Sequence, residues 1–327
     1  MSAPQSLRIA SWNVNSVRLR VEGIAELART AQPDVLCLQE TKVTNEKFPG
    51  DALEAMGYTH QWLHGQPGYH GVAILSKVPF EQPRRLDWCG KHDCRHVAAL
   101  LPGGIELHNV YVPAGGDEPD PAVNPKFAHK LDFLRELTDW FSGDRQSGRR
   151  ALLVGDLNIA PLETDVWSHK QLLKVVSHTP IEVAALARLQ DSQGWIDAVR
   201  HFVPPEEKLY SWWSYRARDW SASDKGRRLD HAWITPALSS QLVAATILRA
   251  ARGWPVTGSG SSRKKTHIYN RCAALLFDFT KGIAPADSAQ KKTMQQHIPS
   301  NYNLYTTNNL LHLKATCNKL ATKHILY

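Results

Sequence analysis

A chain of 327 residues, 43% of them hydrophobic, can fill one large core or two ordinary ones. It has no apolar run near the ~18–20 residues of a bilayer span. Met1–Leu7 lacks the basic start and apolar stretch of a secretory signal, and the cysteines are five and scattered, unlike a disulfide framework. A cytoplasmic protein with no membrane association is expected. The net charge of +8 is unevenly placed: residues 255–327 hold ten Lys and Arg against Asp278 and Asp287, leaving 29 bases and 29 acids in residues 1–254.

In chain order, strands are predicted at Leu7–Trp12, Asp34–Gln39, Gly71–Ser76, His96–Leu101, Glu106–Val112, Ala151–Gly155 and Ala232–Thr235, several of them continuously apolar. Helices are predicted at Leu19–Ala31, Phe127–Phe141 and Ile181–Leu189 from apolar residues recurring on one face. Gly103-Gly104 marks a hairpin. Strands joined partly by hairpins and partly by helices predict an α/β protein with mixed sheets. Beyond Trp254 the composition breaks. The last 73 residues hold six Asn, as many as all those before them, and no Glu. Val256–Lys265 reads as a Gly/Ser-rich linker turning basic, and a short apolar patch, Ala273–Phe279, is the one interruption. This segment reads as foreign to the body, from a shifted frame or altered splicing; the rival reading is a basic arm that holds DNA electrostatically.

Four polar clusters flank the strand-like runs: Ser11-Trp12-Asn13-Val14-Asn15, Leu38-Gln39-Glu40-Thr41-Lys42, Val154-Gly155-Asp156-Leu157-Asn158 and Arg228-Leu229-Asp230-His231. Each alone is an ordinary strand end, since Asp and Asn favour turns. Together they offer amides and three carboxylates, a set suited to a hard divalent cation and a phosphate. Cys89 to His96 lacks a second ligand pair at zinc spacing and reads as a loop.

These blocks, with Gly71–Ser76, Asn109–Pro113 and Ser211-Trp212-Trp213-Ser214-Tyr215-Arg216, resemble the exonuclease III class of abasic-site endonucleases, within the endonuclease/exonuclease/phosphatase superfamily. The resemblance spans about Leu7 to Trp254. It implies a four-layer sandwich of two mixed β-sheets flanked by helices over 1–254, followed by an unrelated, disordered basic tail over 255–327. It also implies a DNA-repair phosphodiesterase, both abasic-site endonuclease and 3′-5′ exodeoxyribonuclease, acting as a monomer with Mg²⁺ or Mn²⁺ on double-stranded DNA with abasic sites or 3′ ends. Residue by residue, Glu40 and Asn13 are implied metal-side groups. Asp156 orients or deprotonates the attacking water, Asn158 and Tyr111 contact the phosphate, and Asp230 supports the catalytic centre. Asn15, Trp212, Leu229 and Arg216 match substrate-binding positions, while Arg227 stands where the pattern has an aromatic or aliphatic pocket wall. The family's closing Ser-Asp-His-x-Pro-Val block is missing, though Pro255-Val256 resembles its end. The domain is therefore expected to lack its last strand and its general-base histidine, and activity to be impaired. Two other readings stand: a catalytically silent protein that binds abasic DNA, and a phosphoesterase of the same superfamily acting on a non-DNA phosphate.

Overall fold

A computed structural model describes residues 6–143, 148–214, 219–254 and 272–280, all within the unit Met1–Pro285. Fourteen strands are formed: β1 Leu7–Asn13, β2 Val35–Gln39, β3 His60–His64, β4 Val72–Ser76, β5 Glu81–Arg84, β6 His96–Leu101, β7 Ile105–Tyr111, β8 Ala151–Asp156, β9 Ile196–Asp197, β10 Trp212–Trp213, β11 Gly226–Arg227, β12 Asp230–Ile234, β13 Leu242–Leu248 and β14 Ala274–Phe279. The helices are α1 Val21–Thr30, α2 Gly50–Glu54, α3 Pro125–Gly143, α4 His169–Leu172, α5 Pro180–Gln193 and α6 Trp220–Ser223.

Two six-stranded mixed sheets result, ordered β13-β14-β1-β2-β4-β3 and β5-β6-β7-β8-β12-β9. Each contains one parallel pair, β1 with β2 and β7 with β8, joined across α1 and α3 respectively. Ile9, Val35, Cys37 and Ile74 of the first sheet meet Val97, Leu107, Leu152 and Val154 of the second in a common core. On the outer faces, Ile24, Leu27 and Leu53 cover Ala10, Trp12, Leu36 and Leu38, and Phe133, Leu134, Leu137, Leu186 and Leu189 cover the second sheet. Residues buried on both faces explain why the strands read as continuous apolar runs rather than alternating ones. The four-layer expectation therefore holds.

Local chemistry delimits the elements. Helix α5 begins with a Thr179–Glu182 capping box and Pro180 in its first turn, and ends on Gly194 in the left-handed conformation, φ 65°. Gly103 and Gly104 turn the β6–β7 hairpin at φ 80° and 73°.

The expected missing strand is a correction. Ala274–Phe279, inside the segment expected to stand outside the fold, is strand β14, antiparallel to both β1 and β13. Its period-two pattern gives the reason: Leu275, Phe277 and Phe279 enter the common core. Asp278, on the other side, pairs with Arg8 through two bonds of 2.7 and 3.0 Å. The rest of the expected tail, residues 255–271 and 281–327, lies outside the described residues.

Candidate active site

The parallel pairs bring several strand ends to one rim of the sandwich. Asn13 closes β1 opposite Gln39, the last residue of β2, so Glu40 leaves the sheet beside Asn13. Tyr111 closes β7 opposite Asp156, which closes β8, and Asp156 lies opposite Asp230, the first residue of β12. Carboxyl ends of parallel strands are where open α/β sheets gather their ligands. Below the rim the two sheets are pinned by buried amides. Gln39 Nε2 donates to Asn109 Oδ1 at 2.7 Å, and Asn109 Nδ2 donates to the carbonyls of Leu38 and Ala73.

Asn13 joins the two halves. Its Nδ2 donates to Glu40 Oε1 at 2.9 Å and to Asp156 Oδ2 at 2.8 Å. A neutral amide thus holds two carboxylates together without adding charge. Gly155 lets Asp156 reach this place: its φ is 141°, and a Cβ there would fall 1.8 Å from the Val110 carbonyl oxygen. No other residue fits.

Asp156 with Asn158, and Asn13 with Asn15, form Asx turns: Asn158 N donates to Asp156 Oδ1 at 3.0 Å, and Asn15 N to Asn13 Oδ1 at 3.1 Å. The side-chain oxygen satisfies the backbone donor two residues on, which ends the strand. Asn15 and Asn158 leave it at φ 46° and 56°. Asn158 Nδ2 then donates to the Val112 carbonyl at 2.9 Å, and Lys130 Nζ holds the Asn158 carbonyl at 2.9 Å while paired with buried Glu182. Asn15 Oδ1 accepts from Lys42, whose ammonium also pairs with Glu40 Oε2 at 2.6 Å. Glu40 and Lys42 themselves have φ of 53° and 54°. Such backbone costs an L-residue with a full side chain roughly 1–2 kcal/mol and gathers where a site demands it.

Asp230 is 1% exposed. Ser211 Oγ donates to its Oδ2 at 2.6 Å while accepting the N–H groups of Leu229 and Asp230, each at 3.0 Å. Its Oδ1 has no nitrogen or oxygen donor among the described residues, and the carboxyl is hydrogen-bonded by the Cys272 thiol. Facing it is Cys272, immediately ahead of β14. Trp12 Nε1 donates to the Cys272 carbonyl at 3.2 Å, and Ala273 N donates to the Ser211 carbonyl at 2.7 Å. Ligand atoms of Asp156, Asp230 and Cys272 lie within 4.8 Å of one another.

Electrostatics follow from burial without enough counter-charge. Burial, then the charge of Glu40, pushes Asp156 up from the usual carboxylate range. Asp230 is raised by burial and by Asp156, so the two do not ionise independently. Glu40 is also disfavoured by burial, but the Lys42 ammonium and the hydrogen bonds of Lys42, Asn13 and Tyr111 outweigh this and lower its pKa. Burial, with Glu40 and Asp156 nearby, raises Tyr111 well above its ordinary value, so its hydroxyl keeps its proton. Arg95 stacks on the Tyr111 ring at 5.0 Å.

Trp212 and Leu229 do meet, around Ala160, Val166 and Leu172. Trp213 is the core member of the tryptophan pair, 1% exposed, while Trp212 stays half-buried. The Arg227 guanidinium lies 5.5 Å from the Trp212 ring and donates to the Val176 carbonyl and Ser177 Oγ, so the pocket wall is cationic. Arg216, expected to bind substrate, lies outside the described residues. Sequence reasoning missed Ser211, Lys42 and Cys272 as members of the site. Ser211 and Lys42 stood inside the quoted blocks, whereas nothing around Cys272 but the apolar patch pointed to it.

The sequence profile of the "Endonuclease/Exonuclease/phosphatase family" matches residues 10–261. Exodeoxyribonuclease III of Haemophilus influenzae is 31% identical over 248 residues, covering 72% of this chain and 91% of that protein. Among solved structures, an AP endonuclease from Archaeoglobus fulgidus superposes with TM-score 0.72 at 28% identity, over 84% of this chain and 99% of that one. The 3′ phosphatase NExo from Neisseria, bound to a product DNA hairpin, gives TM-score 0.72 at 27% identity with the same coverage. No helix among the described residues is long and apolar enough to cross a membrane.

Proposed function

Since this chain belongs to the endonuclease/exonuclease/phosphatase family, a family of hydrolases, we propose that it is a DNA-repair phosphodiesterase of exonuclease III type. Its substrates are double-stranded DNA with abasic sites and 3′ ends, and it acts as a cytoplasmic monomer. The observation that carries this reading is the convergence of Glu40, Asp156 and Asp230 through Asn13 and the β8–β12 register. Three carboxylates whose one direct ion pair among the described residues is Glu40 with Lys42, one of them with an oxygen that no nitrogen or oxygen donor among those residues reaches, fit a divalent cation.

Glu40 would hold Mg²⁺ or Mn²⁺, with Asn13 orienting its carboxylate from the metal side; when bound, the ion neutralises phosphate charge and stabilises the leaving oxygen. Asp156, with its raised pKa, accepts a proton from the attacking water more readily than an ordinary carboxylate does. Asn158 and Tyr111 donate to the phosphate, the phenol as a protonated donor. Asn15 and Lys42 flank the strand or phosphate next to it. Trp212 and Leu229 receive a sugar without a base, which is cheap to extrude because it has lost its pair and stack.

Cys272 stands beside Asp230, where this reading places the family's histidine. Burial, then the charges of Asp230 and Asp156, raises the thiol well above its ordinary pKa. It stays a weak S–H donor where an imidazole would exchange protons, so catalysis is impaired by loss of general acid–base assistance, typically worth ~10²–10⁴-fold. The assay is incision of an abasic duplex with Mg²⁺. Slow cleavage, abolished by chelation and by Glu40→Gln, is expected. Turnover equal to that of the Haemophilus relative would refute the impairment, and absence of both cleavage and binding would refute the function. The thiol also favours a second reading, a catalytically silent binder of abasic DNA; tight binding without cleavage at saturating metal would decide for it.

A further inference from the structure

We propose that Asp156, Asp230 and Cys272 form a binding site for a thiophilic divalent cation, Zn²⁺ or Cd²⁺, separate in its ligands from the Glu40 position. All three side chains are buried, at 3%, 1% and 2% exposure, and their ligand atoms lie within 4.8 Å of one another. A tetrahedral ion with bonds of about 2.0–2.3 Å needs its ligands roughly 3.5 Å apart, so closure requires movement of an ångström or so.

Two features indicate that the ligands are already aimed. Ser211 engages Asp230 Oδ2 and the two backbone donors beside it, which leaves Oδ1 buried with no nitrogen or oxygen donor among the described residues, while the Cys272 thiol hydrogen-bonds the same carboxyl. The Cys272 backbone is tied to Trp12 and, through Ala273, to the same Ser211. Ser211 therefore ties the first residue of β12 to the segment that leads into β14, two parts of the chain that are not sheet neighbours. Asp156 arrives from the cross-strand register with Asp230.

Mg²⁺ demands oxygen ligands and near-octahedral geometry, and a sulfur ligand disfavours it. Two carboxylates and one thiolate instead suit a borderline or soft ion, with a fourth position open to water or a phosphate oxygen. Binding breaks the S–H bond and forms a metal–sulfur bond, and the released proton passes to solvent. Whether the chain cleaves DNA does not enter this inference, although an ion here engages the carboxylate assigned to the attacking water and so inhibits Mg²⁺-dependent turnover if that assignment holds.

The test is titration of the reduced, metal-free full chain with Cd²⁺, read by the ultraviolet charge-transfer absorption of a cadmium–thiolate bond. One equivalent is expected to bind, to be displaced by Zn²⁺ and to withstand excess Mg²⁺. Cys272→Ser should abolish the band although Cys37, Cys89, Cys94 and Cys317 remain. Asp230→Asn, with every thiol intact, should weaken Cd²⁺ binding at least ~10-fold, the scale on which disrupted metal shells lose affinity. A band that persists in Cys272→Ser, or an affinity unchanged in Asp230→Asn, overturns the proposal. The second variant decides by itself if the first does not fold.

Discussion

Two buried acidic clusters sit on opposite sides of one short stretch, Arg228 to His231, and differ in only one respect. On one side, Asp165 and Asp197 are met by Arg228, which bonds Asp165 at 2.8 and 2.9 Å and Asp197 at 2.5 Å, and by Arg200, which bonds Asp165 at 2.5 Å. On the other, Asp230 and Asp156 lie beside Glu40 with no guanidinium against them among the described residues. Burial works against the charge of Asp197 too, but Arg228 and His231 outweigh it and hold its pKa far below the usual range. The same burial leaves Asp156 and Asp230 raised. A buried carboxylate with its own counter-charge is scaffolding. One without it is waiting for a cation or a proton.

The sharpest break in this comparison is removal of the counter-charge. Arg228→Ala leaves Asp165 and Asp197 buried with fewer partners and should cost about 3–5 kcal/mol, the usual penalty for stranding one half of a buried pair. Urea unfolding monitored by fluorescence checks this, and a loss below ~1 kcal/mol would mean that Arg200 suffices alone. Asp156→Asn should do the reverse. Incision of an abasic duplex should fall ~10²–10³-fold for loss of the proposed base, while stability should hold or rise, because a like-charge contact with Glu40 and Asp230 is removed. Instability equal to that of Arg228→Ala would place Asp156 in the scaffold instead. Next in size, Cys272→His should raise incision by about tenfold or more, within the lower range of general acid–base assistance. Unchanged turnover in a folded variant would show that the thiol is not what limits the site.

How far this contrast could be read in the sequence depends on the distance to each partner. Glu40, Asp156 and Asn13 were legible because an apolar strand must end somewhere, and polar residues at that end share a rim once the strands pair. The parallel roles of Arg228 and Asp230 were not. Asp165 and Asp197 lie 63 and 31 residues from Arg228, in a single helical turn and a two-residue strand too short to carry a pattern of their own. Strand alternation turns His231 away from Asp230, and its Nε2 donates to the Ile159 carbonyl at 2.8 Å. The Asx turns at Asn15 and Asn158 were legible one residue at a time, because Asp and Asn at strand ends favour turns. Strand β14 lay behind an abrupt change in composition, so its three inward residues looked like a stray apolar patch. Period two over six residues is weak evidence until β1 and β13 are seen to need a neighbour between them.

The smallest prediction concerns a third buried cluster, which extends the rule to groups kept neutral. Glu106 is met by Arg149 at 2.8 Å and by Arg84, and His108 Nε2 lies 3.1 Å from its Oε1. His96 faces His108 at 3.0 Å, with Arg84 and His64 also near, and its Nδ1 accepts the Leu86 N–H at 3.2 Å. Protonating His96 would set an N–H against the Leu86 N–H and a charge beside Arg84. Burial first, then His108 and Arg84, therefore hold its pKa well below the usual 6.5. A folded-state pKa below the unfolded one makes stability complete above pH ~6.5 and lowers it as pH falls from there, because the unfolded chain takes up the proton that the folded chain refuses. By pH 6 the loss should be about 1 kcal/mol for this one group. Glu106, whose pKa is also lowered, shifts stability in the same direction, but only at the far more acidic pH of carboxylate titration. Denaturation midpoints measured between pH 7.5 and 6 should therefore fall in the parent chain and fall less in His96→Gln, which carries no titrating group. Identical slopes in the two proteins would mean that His96 accepts its proton while folded, and that this cluster is not held neutral by its neighbours.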